Sequence, residues 1–266
     1  MRLGVHPRRV VEASVAAPAA VFHLHRAYAF SGAQILTANT FAAEYTENSV
    51  RAMTASILTA LSAAAGADAD LALLIPLSAY SPPAGTVEIL RRSLDRVAVS
   101  SHILVETCGS LARGVSFLRE LTRHGFQRSG ITCHVLADGR LPDGTTAGTA
   151  ARAFTDEGAD IVGANCGDTL SGMLAACSEM RAATSAILLM QPNYGPPVSA
   201  GSTVDRLTPA RFGAAAVELV RLGSDIVGGC CGTTPEHIRA AAAALASGAP
   251  IHTPSGHPIC RAGETI

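Results

Sequence analysis

Seven short hydrophobic runs recur along the chain, and each ends in small or polar residues before a stretch with helical periodicity. The runs are rich in isoleucine, valine and leucine and show no alternation of polar and apolar positions. Continuous apolar runs of this length are typical of strands buried on both faces of a parallel sheet. The pattern predicts an α/β protein. The runs begin at Ile35, Leu71, Ile103, Ile131, Ile161, Ala186 and Asp225.

The helical stretches between these runs carry start and stop signals. Gly32 and Gly66 follow two of them, as expected for glycines that end helices. The last helix is predicted to begin with Thr234 as its cap and Pro235 at its first position. Glu236 would then lie in the first turn, where a negative charge complements the helix dipole.

The length of 266 residues suits a single α/β barrel, which typically takes roughly 250 residues. Such a barrel has eight strand–helix units, whereas the pattern contains seven. A missed strand, an open barrel and a doubly wound sheet all remain possible explanations. No linker divides the chain, so we expect one domain over residues 1–266. The longest connection begins at Gln191 and is rich in proline and glycine, which predicts a lid or substrate loop.

Composition narrows the classes of function. The net charge is −1 and the arginines are scattered, so no basic patch exists for a nucleic-acid backbone. The chain has no lysine, which excludes lysine Schiff-base and P-loop chemistry. No apolar run reaches the roughly 18 residues of a membrane-spanning helix. An odd number of cysteines, seven, suits a reducing compartment. We therefore expect a soluble cytoplasmic protein without nucleic-acid or membrane partners.

Three of the cysteines lie at the carboxyl ends of predicted strands. Cys166 ends one strand in the sequence GANCG, and the neighbours Cys230 and Cys231 end another in GGCCG. In a barrel of parallel strands these ends open on one face, so the three thiols should meet there. Three thiolates around zinc leave one coordination position open, as in catalytic sites, and their negative charge keeps a bound substrate thiolate nucleophilic. The chemistry that this arrangement favours is alkyl transfer to sulfur.

Glycines flank the cysteine pair on both sides. Neighbouring side chains of a regular strand point in opposite directions, which would separate the two sulfurs. We expect Gly228, Gly229 and Gly232 to adopt backbone angles that other residues resist, so that the chain curls and both sulfurs face inward.

The remaining cysteines are predicted to be small buried hydrophobic residues without a chemical role. Two of them also lie near strand ends, which leaves a different set of metal ligands open. The four are Cys108, Cys133, Cys177 and Cys260.

Glu106 is a carboxylate at the end of an otherwise apolar strand. A buried carboxylate needs a cationic partner, and a substrate ammonium group and a structural arginine are equally compatible with the spacing. Asn39, Thr40 and Asn165 supply neutral hydrogen-bonding groups at other strand ends, where loop capping is the simpler explanation.

Two histidines are candidates for proton transfer. His134 lies in the apolar run that begins at Ile131 and could act as a proton shuttle. His237 falls in the first turn of the last helix, where a structural polar contact is the better prediction.

The chain resembles the homocysteine S-methyltransferase family, the zinc-dependent barrels that include betaine–homocysteine methyltransferase and the homocysteine domain of cobalamin-dependent methionine synthase. The resemblance extends from about Pro18 to about Leu245, and its most specific stretch is the last. The matching stretches are HRAYAFSGAQILTANTF, ILVETCG, DGRLPDGTT, GADIVGANCG, QPNYG and GSDIVGGCCGTTPEHIRA.

The resemblance implies a set of roles for residues at the strand ends. The sulfur of homocysteine is expected to take the open position on the metal. Glu106 is expected to hold the substrate amino group, with Thr40 and Asn165 lining the same pocket. The implied zinc ligands are Cys166, Cys230 and Cys231.

One departure from the family concerns the first strand. Family members begin with a glycine-rich strand of the form Asp-Gly-Ala-Met-Gly-Thr, and this chain has no such stretch. The resemblance therefore implies a TIM (β/α)8 barrel that lacks its first strand. Either the start codon is assigned too far downstream, or part of the substrate pocket has been lost.

The predicted function is zinc-dependent methyl transfer to homocysteine, which gives methionine. The donor would be a small molecule such as S-methylmethionine, S-adenosylmethionine or a betaine, or a methyl group on a separate corrinoid protein. The alternative is a barrel that binds zinc or homocysteine without turnover, because the first strand is missing.

Overall fold

The computed structural model describes residues 10–65, 72–80, 82–97, 102–193 and 207–247. Three features predicted from the sequence lie wholly or partly outside these ranges. They are Gly66 as a helix end, Cys260, and the loop that begins at Gln191, of which residues 194–206 are outside.

Seven parallel strands form one sheet within the described ranges, and they lie side by side in the order in which they follow along the chain. Each strand coincides with one of the hydrophobic runs, which confirms the predicted elements. Four of the strands are buried at every position, which explains why they lack polar alternation. The strands are β1 (Ile35–Thr37), β2 (Ala72–Ser78), β3 (His102–Cys108), β4 (Ser129–Cys133), β5 (Ile161–Asn165), β6 (Ile187–Gln191) and β7 (Ile226–Val227).

Helices connect successive strands and cover the sheet. The predicted start of the last helix is confirmed, since it begins at Pro235 directly after Thr234. Across the described ranges, no helix combines the length and apolar character needed to cross a membrane. The helices are α1 (Ala13–Ala16), α2 (Pro18–Ala29), α3 (Ser49–Ala65), α4 (Pro83–Leu94), α5 (Leu111–Arg123), α6 (Ala147–Asp156), α7 (Leu170–Ala183), α8 (Pro209–Arg221) and α9 (Pro235–Ala246), with a 3-10 turn at Ala43–Tyr45.

Helices from the two ends of the chain, α2 and α9, contact each other, whereas the first and last described strands do not pair. The Tyr28 hydroxyl of α2 donates a hydrogen bond to the carbonyl oxygen of Thr233, just before α9. The Arg239 guanidinium of α9 donates a hydrogen bond to the hydroxyl of Ser31, just after α2. Among the described strands, β1 pairs only with β2, and β7 only with β6. The sequential strand order and the contact between α2 and α9 are typical of an open barrel. They confirm the prediction of an open barrel over that of a doubly wound sheet.

The inner face of the barrel changes from apolar to polar toward the carboxyl ends of the strands. Glu106 and Gln191 stand two residues beyond the inner apolar layer of their strands and Asn165 stands four beyond it, so all three lie on the same face. Polar groups at this end of the barrel are where substrates bind in such folds. The apolar layer below them is made of Leu74, Leu104, Ile161, Ile187 and Leu189.

Candidate metal centre and substrate pocket

The three cysteines predicted to meet do lie together. The sulfur atoms of Cys166, Cys230 and Cys231 all lie within 4.8 Å of one another. Cys166 Sγ is 3.4 Å from Cys231 Sγ, and Cys230 Sγ is 4.0 Å from Cys231 Sγ. In the part of the chain that the structure describes, no other group of three or more potential metal-ligating side chains is this compact. The cluster is half-buried, with Cys231 on its exposed side.

The segment after β6 holds the two cysteine-bearing loops side by side. The backbone N–H of Cys166 donates to the carbonyl oxygen of Gln191 at 3.3 Å, and that of Cys230 donates to the carbonyl oxygen of Pro192 at 3.0 Å. Cys166 itself has a positive φ of 55°, which is uncommon for a residue with a side chain. Strained backbone of this kind persists where the surrounding contacts hold it. Here those contacts turn the Cys166 sulfur toward the cysteine pair.

The glycines around the pair have different roles from those predicted. Of these three glycines, only Gly232 has a positive φ, at +76°. The prediction of backbone angles that favour glycine was therefore right for Gly232 and wrong for Gly228 and Gly229. Gly229 is required for space instead, because a Cβ at this position would overlap the side chain of Thr233. Thr233 Oγ1 donates to the carbonyl oxygen of Cys230 at 2.7 Å and so closes the turn over the cysteine.

Hydrogen bonds among the three sulfurs separate their protonation behaviour. Bonds from Cys230 and then Cys231 lower the pKa of the Cys166 thiol. The same bonds raise the pKa values of Cys230 and Cys231, for which Cys166 is the largest cause. Cys166 is therefore the most acidic of the three thiols when no cation is bound.

Glu106 is a carboxylate without a cationic partner among the described residues. Within the described ranges, no side chain donates a hydrogen bond to it or forms an ion pair with it, and no arginine pairs with it. Burial raises its pKa to about 7, and the nearby negative charge of Cys166 adds to the effect. The sequence was compatible with two partners for Glu106. No arginine among the described residues pairs with it, which leaves the ammonium group of a ligand as the other partner.

Asn165 is the centre of a buried polar network. Its Oδ1 accepts hydrogen bonds of 2.8 Å from the backbone N–H of Thr107 and from Thr132 Oγ1. Its Nδ2 donates to Thr107 Oγ1 at 2.9 Å and to Cys230 Sγ at 3.7 Å. All the polar atoms of this side chain are therefore engaged within the protein. Thr107 has a positive φ of 64°, so two strained residues, Thr107 and Cys166, flank the network.

Thr40 and Asn39 are engaged in loop contacts. Thr40 has no exposed surface, and its hydroxyl donates to the carbonyl oxygen of Pro76 in β2 at 2.7 Å. Asn39 Nδ2 donates to the carbonyl oxygen of Val10 at 2.8 Å and to Ser14 Oγ at 3.2 Å. These bonds tie the end of β1 to α1 and to β2, and a substrate role for Thr40 stays a prediction.

The two histidines have different surroundings. His134 Nε2 lies 3.3 Å from Asp168 Oδ1 at the partly exposed rim of the cysteine cluster. His237 is buried, with Nδ1 accepting from the backbone N–H of Thr234 and Nε2 2.9 Å from the carbonyl oxygen of Leu207. The predicted structural role of His237 is confirmed, whereas proton transfer by His134 stays a prediction.

Three of the cysteines predicted to be inert are buried in the main hydrophobic core. Burial raises the pKa of each thiol, which keeps it protonated and unreactive. The prediction of packing residues is confirmed for these three. They are Cys108, Cys133 and Cys177.

Sequence reasoning missed three residues near the cluster. Asn193 Nδ2 lies 3.9 Å from Cys166 Sγ and donates to the carbonyl oxygen of Gly167 at 3.2 Å. Gln191 Oε1 is buried without a hydrogen-bond donor among the described residues. Tyr80, after β2, is 61% exposed. Partial burial raises the pKa of its hydroxyl group, and the negative charges of Cys166 and Cys231 add to the rise. Gln191 is the last residue of β6 and the other two residues follow strand ends, and this placement was the available signal.

Comparisons with known proteins agree with this arrangement. The model of the family described as homocysteine S-methyltransferase matches residues 7–245. A methionine synthase of Mycobacterium tuberculosis is 33% identical over 153 residues, which is 54% of this chain and 13% of that protein. The chain thus spans about an eighth of the length of this relative.

Solved structures with the same fold include two forms of the homocysteine methyltransferase MmuM from Escherichia coli. The apo form has a TM-score of 0.69 at 20% identity, covering 88% of each chain. The metallated form has a TM-score of 0.69 at 18% identity, covering 87% of this chain and 86% of that one. Identities this low establish the shared barrel fold and nothing finer.

Proposed function

The chain belongs to the homocysteine S-methyltransferase family, and on this basis we propose that it transfers a methyl group to the thiol of homocysteine and forms methionine. One observation carries the proposal. Two separate strand ends bring Cys166 together with Cys230 and Cys231, within 4.8 Å of one another, near a carboxylate that has no cationic partner among the described residues. A thiol amino acid would supply both a sulfur for the cluster and an ammonium group for the carboxylate.

The cysteine cluster fits a zinc ion. Zinc–thiolate bonds of about 2.3 Å in tetrahedral geometry separate neighbouring sulfurs by about 3.8 Å. The distances of 3.4 Å and 4.0 Å from Cys231 to its neighbours bracket that value. Cys166, Cys230 and Cys231 would hold the ion, and zinc would bind a fourth sulfur as its thiolate and keep it nucleophilic. The metallated form of MmuM supports a metal in this fold.

Glu106 would bind the ammonium group of homocysteine. Its carboxylate stands on the inner face of the barrel, in register with Ser78 of β2. A substrate cation would relieve the cost of a largely desolvated, unpaired charge, so the amino acid would be oriented by an ion pair for which the described residues supply no cation. We assign Glu106 as the residue that fixes the amino end of the substrate.

Asn165 and Thr40 would shape the pocket through their contacts with the protein. The Asn165 side chain is 1% exposed, and Thr40 is fully buried. Because their polar groups are engaged with Thr107, Thr132 and Pro76, both residues would hold strand ends in place around the substrate. Their proposed contribution is thus the form of the pocket.

The methyl donor would be a small onium compound or a methyl-corrinoid protein. S-Methylmethionine, S-adenosylmethionine and a betaine all carry a positive charge on the atom that releases the methyl group. A cluster of thiolates would attract such a charge, which favours these donors in the proposal. We expect attack by the substrate sulfur in line with the bond that breaks.

The decisive experiment measures zinc content and methionine formation together. Purified protein is supplied with homocysteine and each donor in turn, and methionine is detected by mass spectrometry. Cys230→Ala should lose zinc and activity, whereas Cys177→Ala, which changes a buried cysteine away from the cluster, should keep both. Full zinc content and full activity in Cys230→Ala would overturn the proposal.

A further inference from the structure

The proposed reaction places several nucleophilic sulfurs around one electrophile, and only one should be methylated. If the proposed function holds, the thiolates of Cys166, Cys230 and Cys231 compete with the substrate sulfur for the donor methyl group. Methylation converts a cysteine thiolate into an uncharged thioether and would damage the metal site. The protein therefore needs a way to make its own sulfurs less reactive than that of the substrate.

The amide group of Asn165 is fixed in an orientation that points its nitrogen at Cys230. The backbone N–H of Thr107 can only donate, so the atom that it contacts at 2.8 Å must be the amide oxygen. Thr132 Oγ1 holds the same oxygen at 2.8 Å. A flipped amide would lose both bonds, and the N–H bonds are consequently directed at Thr107 Oγ1 and at Cys230 Sγ, 3.7 Å away.

A second carboxamide stands beside Cys166. Asn193 Nδ2 lies 3.9 Å from Cys166 Sγ, and its bond of 3.2 Å to the carbonyl oxygen of Gly167 holds the nitrogen on that side. Cys231, the exposed member of the cluster, has no side-chain amide donor among the described residues. The three sulfurs thus differ in their amide contacts.

We propose that Asn165 and Asn193 are positioning residues whose amide groups suppress methylation of Cys230 and Cys166, and that Cys231 is the sulfur most open to alkylation. A hydrogen bond to a thiolate stabilises the lone pair that would attack the methyl carbon, so it slows the attack. A substrate sulfur that binds without such a donor would keep the greater reactivity. Selection of the correct sulfur then follows from two asparagines.

The step that these bonds oppose is a simple displacement. A thiolate lone pair forms a bond to the methyl carbon while the bond from that carbon to its leaving group breaks. The leaving group departs with the bonding electrons, and the cysteine becomes an S-methyl thioether. No oxidant or further reactant is needed.

The test measures methylation of each cysteine in zinc-loaded protein without homocysteine. A neutral methylating agent, methyl p-nitrobenzenesulfonate, is added, and S-methylcysteine at each position is followed over time by peptide mass spectrometry. Asn165→Ala should raise the methylation rate of Cys230 about tenfold, since loss of one hydrogen bond to a charged sulfur raises its nucleophilicity by about this factor. Asn193→Ala should raise the rate at Cys166 and leave Cys230 unchanged.

Two further variants separate the amide donor from the shape of the side chain. Asn165→Asp keeps the acceptor for Thr107 and Thr132 but has no N–H, so it should also raise methylation of Cys230. Thr132→Val removes one bond to the amide oxygen and leaves the N–H in place, so Cys230 should react within about twofold of the wild-type rate. An unchanged rate at Cys230 in both Asn165 variants with zinc retained would overturn the proposal.

A measurement on the wild-type protein tests the Asn165 hydrogen bond even if the variants fail to fold. With ¹¹³Cd in the site, a hydrogen bond to a ligating sulfur transmits a scalar coupling between the amide proton and the metal. Coupling from the Asn165 side chain is expected, and its absence would contradict the proposal. Failure of the zinc-loaded protein to methylate homocysteine overturns the proposed function alone, because neither measurement here uses homocysteine.

Discussion

Tyr28 donates a hydrogen bond of 2.9 Å from its hydroxyl to the carbonyl oxygen of Thr233, a residue 205 positions away. The bond joins α2 to the turn that follows the cysteine pair. Thr233 in turn bonds the carbonyl oxygen of Cys230, so the first long helix and the candidate metal centre are linked through two hydrogen bonds.

Tyr28→Phe should therefore destabilise the protein and weaken metal retention. Loss of one hydrogen bond typically costs about 1 kcal/mol of unfolding free energy. Urea unfolding and zinc affinity by chelator competition measure the two effects. Tyr45→Phe is the matched control, because Tyr45 is 60% exposed. Equal stability and equal zinc affinity for the two variants would contradict a structural role for the Tyr28 bond.

Glu106 should make amino-acid binding depend on pH. Burial and then the charge of Cys166 raise its pKa to about 7, so the carboxyl group is largely protonated at pH 6 and ionised at pH 8. An ammonium group binds the ionised form, so affinity should rise with pH through about 7 and then level off. Methionine is a suitable ligand for calorimetry, since it has no thiol that titrates. Glu106→Gln should bind it about tenfold more weakly or worse, with no rise over this range.

The same residue should affect stability with the opposite sign. The native state binds more protons than the unfolded chain between the ordinary pKa of 4.5 and about 7, so stability falls as pH rises through this window. Glu106→Gln removes the buried charge and should be more stable than wild type at pH 8, with a smaller difference at pH 5. A variant that is less stable than wild type at pH 8 would show that Glu106 already has a cationic partner.

Gly229→Ala should disturb the metal centre. The added Cβ would overlap the Thr233 side chain, which must move and release the carbonyl oxygen of Cys230. We expect weaker zinc binding in a competition assay. Gly85→Ala is the control, because the added Cβ meets nothing within 4 Å and alanine favours the helix by roughly 0.5–1 kcal/mol. Similar zinc affinity in both variants would argue against the turn as a support for Cys230.

Removal of zinc should lower thermal stability. A ligand present at 100 times its dissociation constant stabilises the native state by about 2.7 kcal/mol. The melting temperature of the zinc-loaded protein should fall after chelation and recover on addition of zinc. Cys166→Ala should show little response, while Cys133→Ala, which changes a buried cysteine outside the cluster, should respond as the wild type does.

The strands could be predicted from the sequence because burial on two faces leaves a continuous apolar run. The meeting of Cys166 with the pair at Cys230 could also be predicted, since parallel strand ends share one face. What the sequence did not reveal depends on contacts between distant segments. Nothing in the letters around Gly229 indicates that the side chain of Thr233 occupies the space where a Cβ would lie.

The orientation of Asn165 is another feature beyond sequence reasoning. Its residue type and strand-end position were visible, and they were compatible with loop capping and with a place in the substrate pocket. The structure shows bonds to Thr107, 58 residues away, and to Cys230, 65 residues away. These partners depend on the bulge between Val105 and Cys108 and on the positive φ of Thr107, neither of which has a local sequence signature.

The link between α2 and α9 has a consequence for the order of folding. The contact between Cys166 and Cys231 spans 65 residues, whereas that between Tyr28 and Thr233 spans 205. Contacts between segments far apart in the chain form slowly, because loop-closure entropy is lost before they stabilise anything. We therefore expect the cysteine cluster to assemble within the units from β5 to α9 while α2 is still undocked. The three sulfurs can then meet before the first helices dock, so the candidate metal centre does not depend on that docking for its assembly.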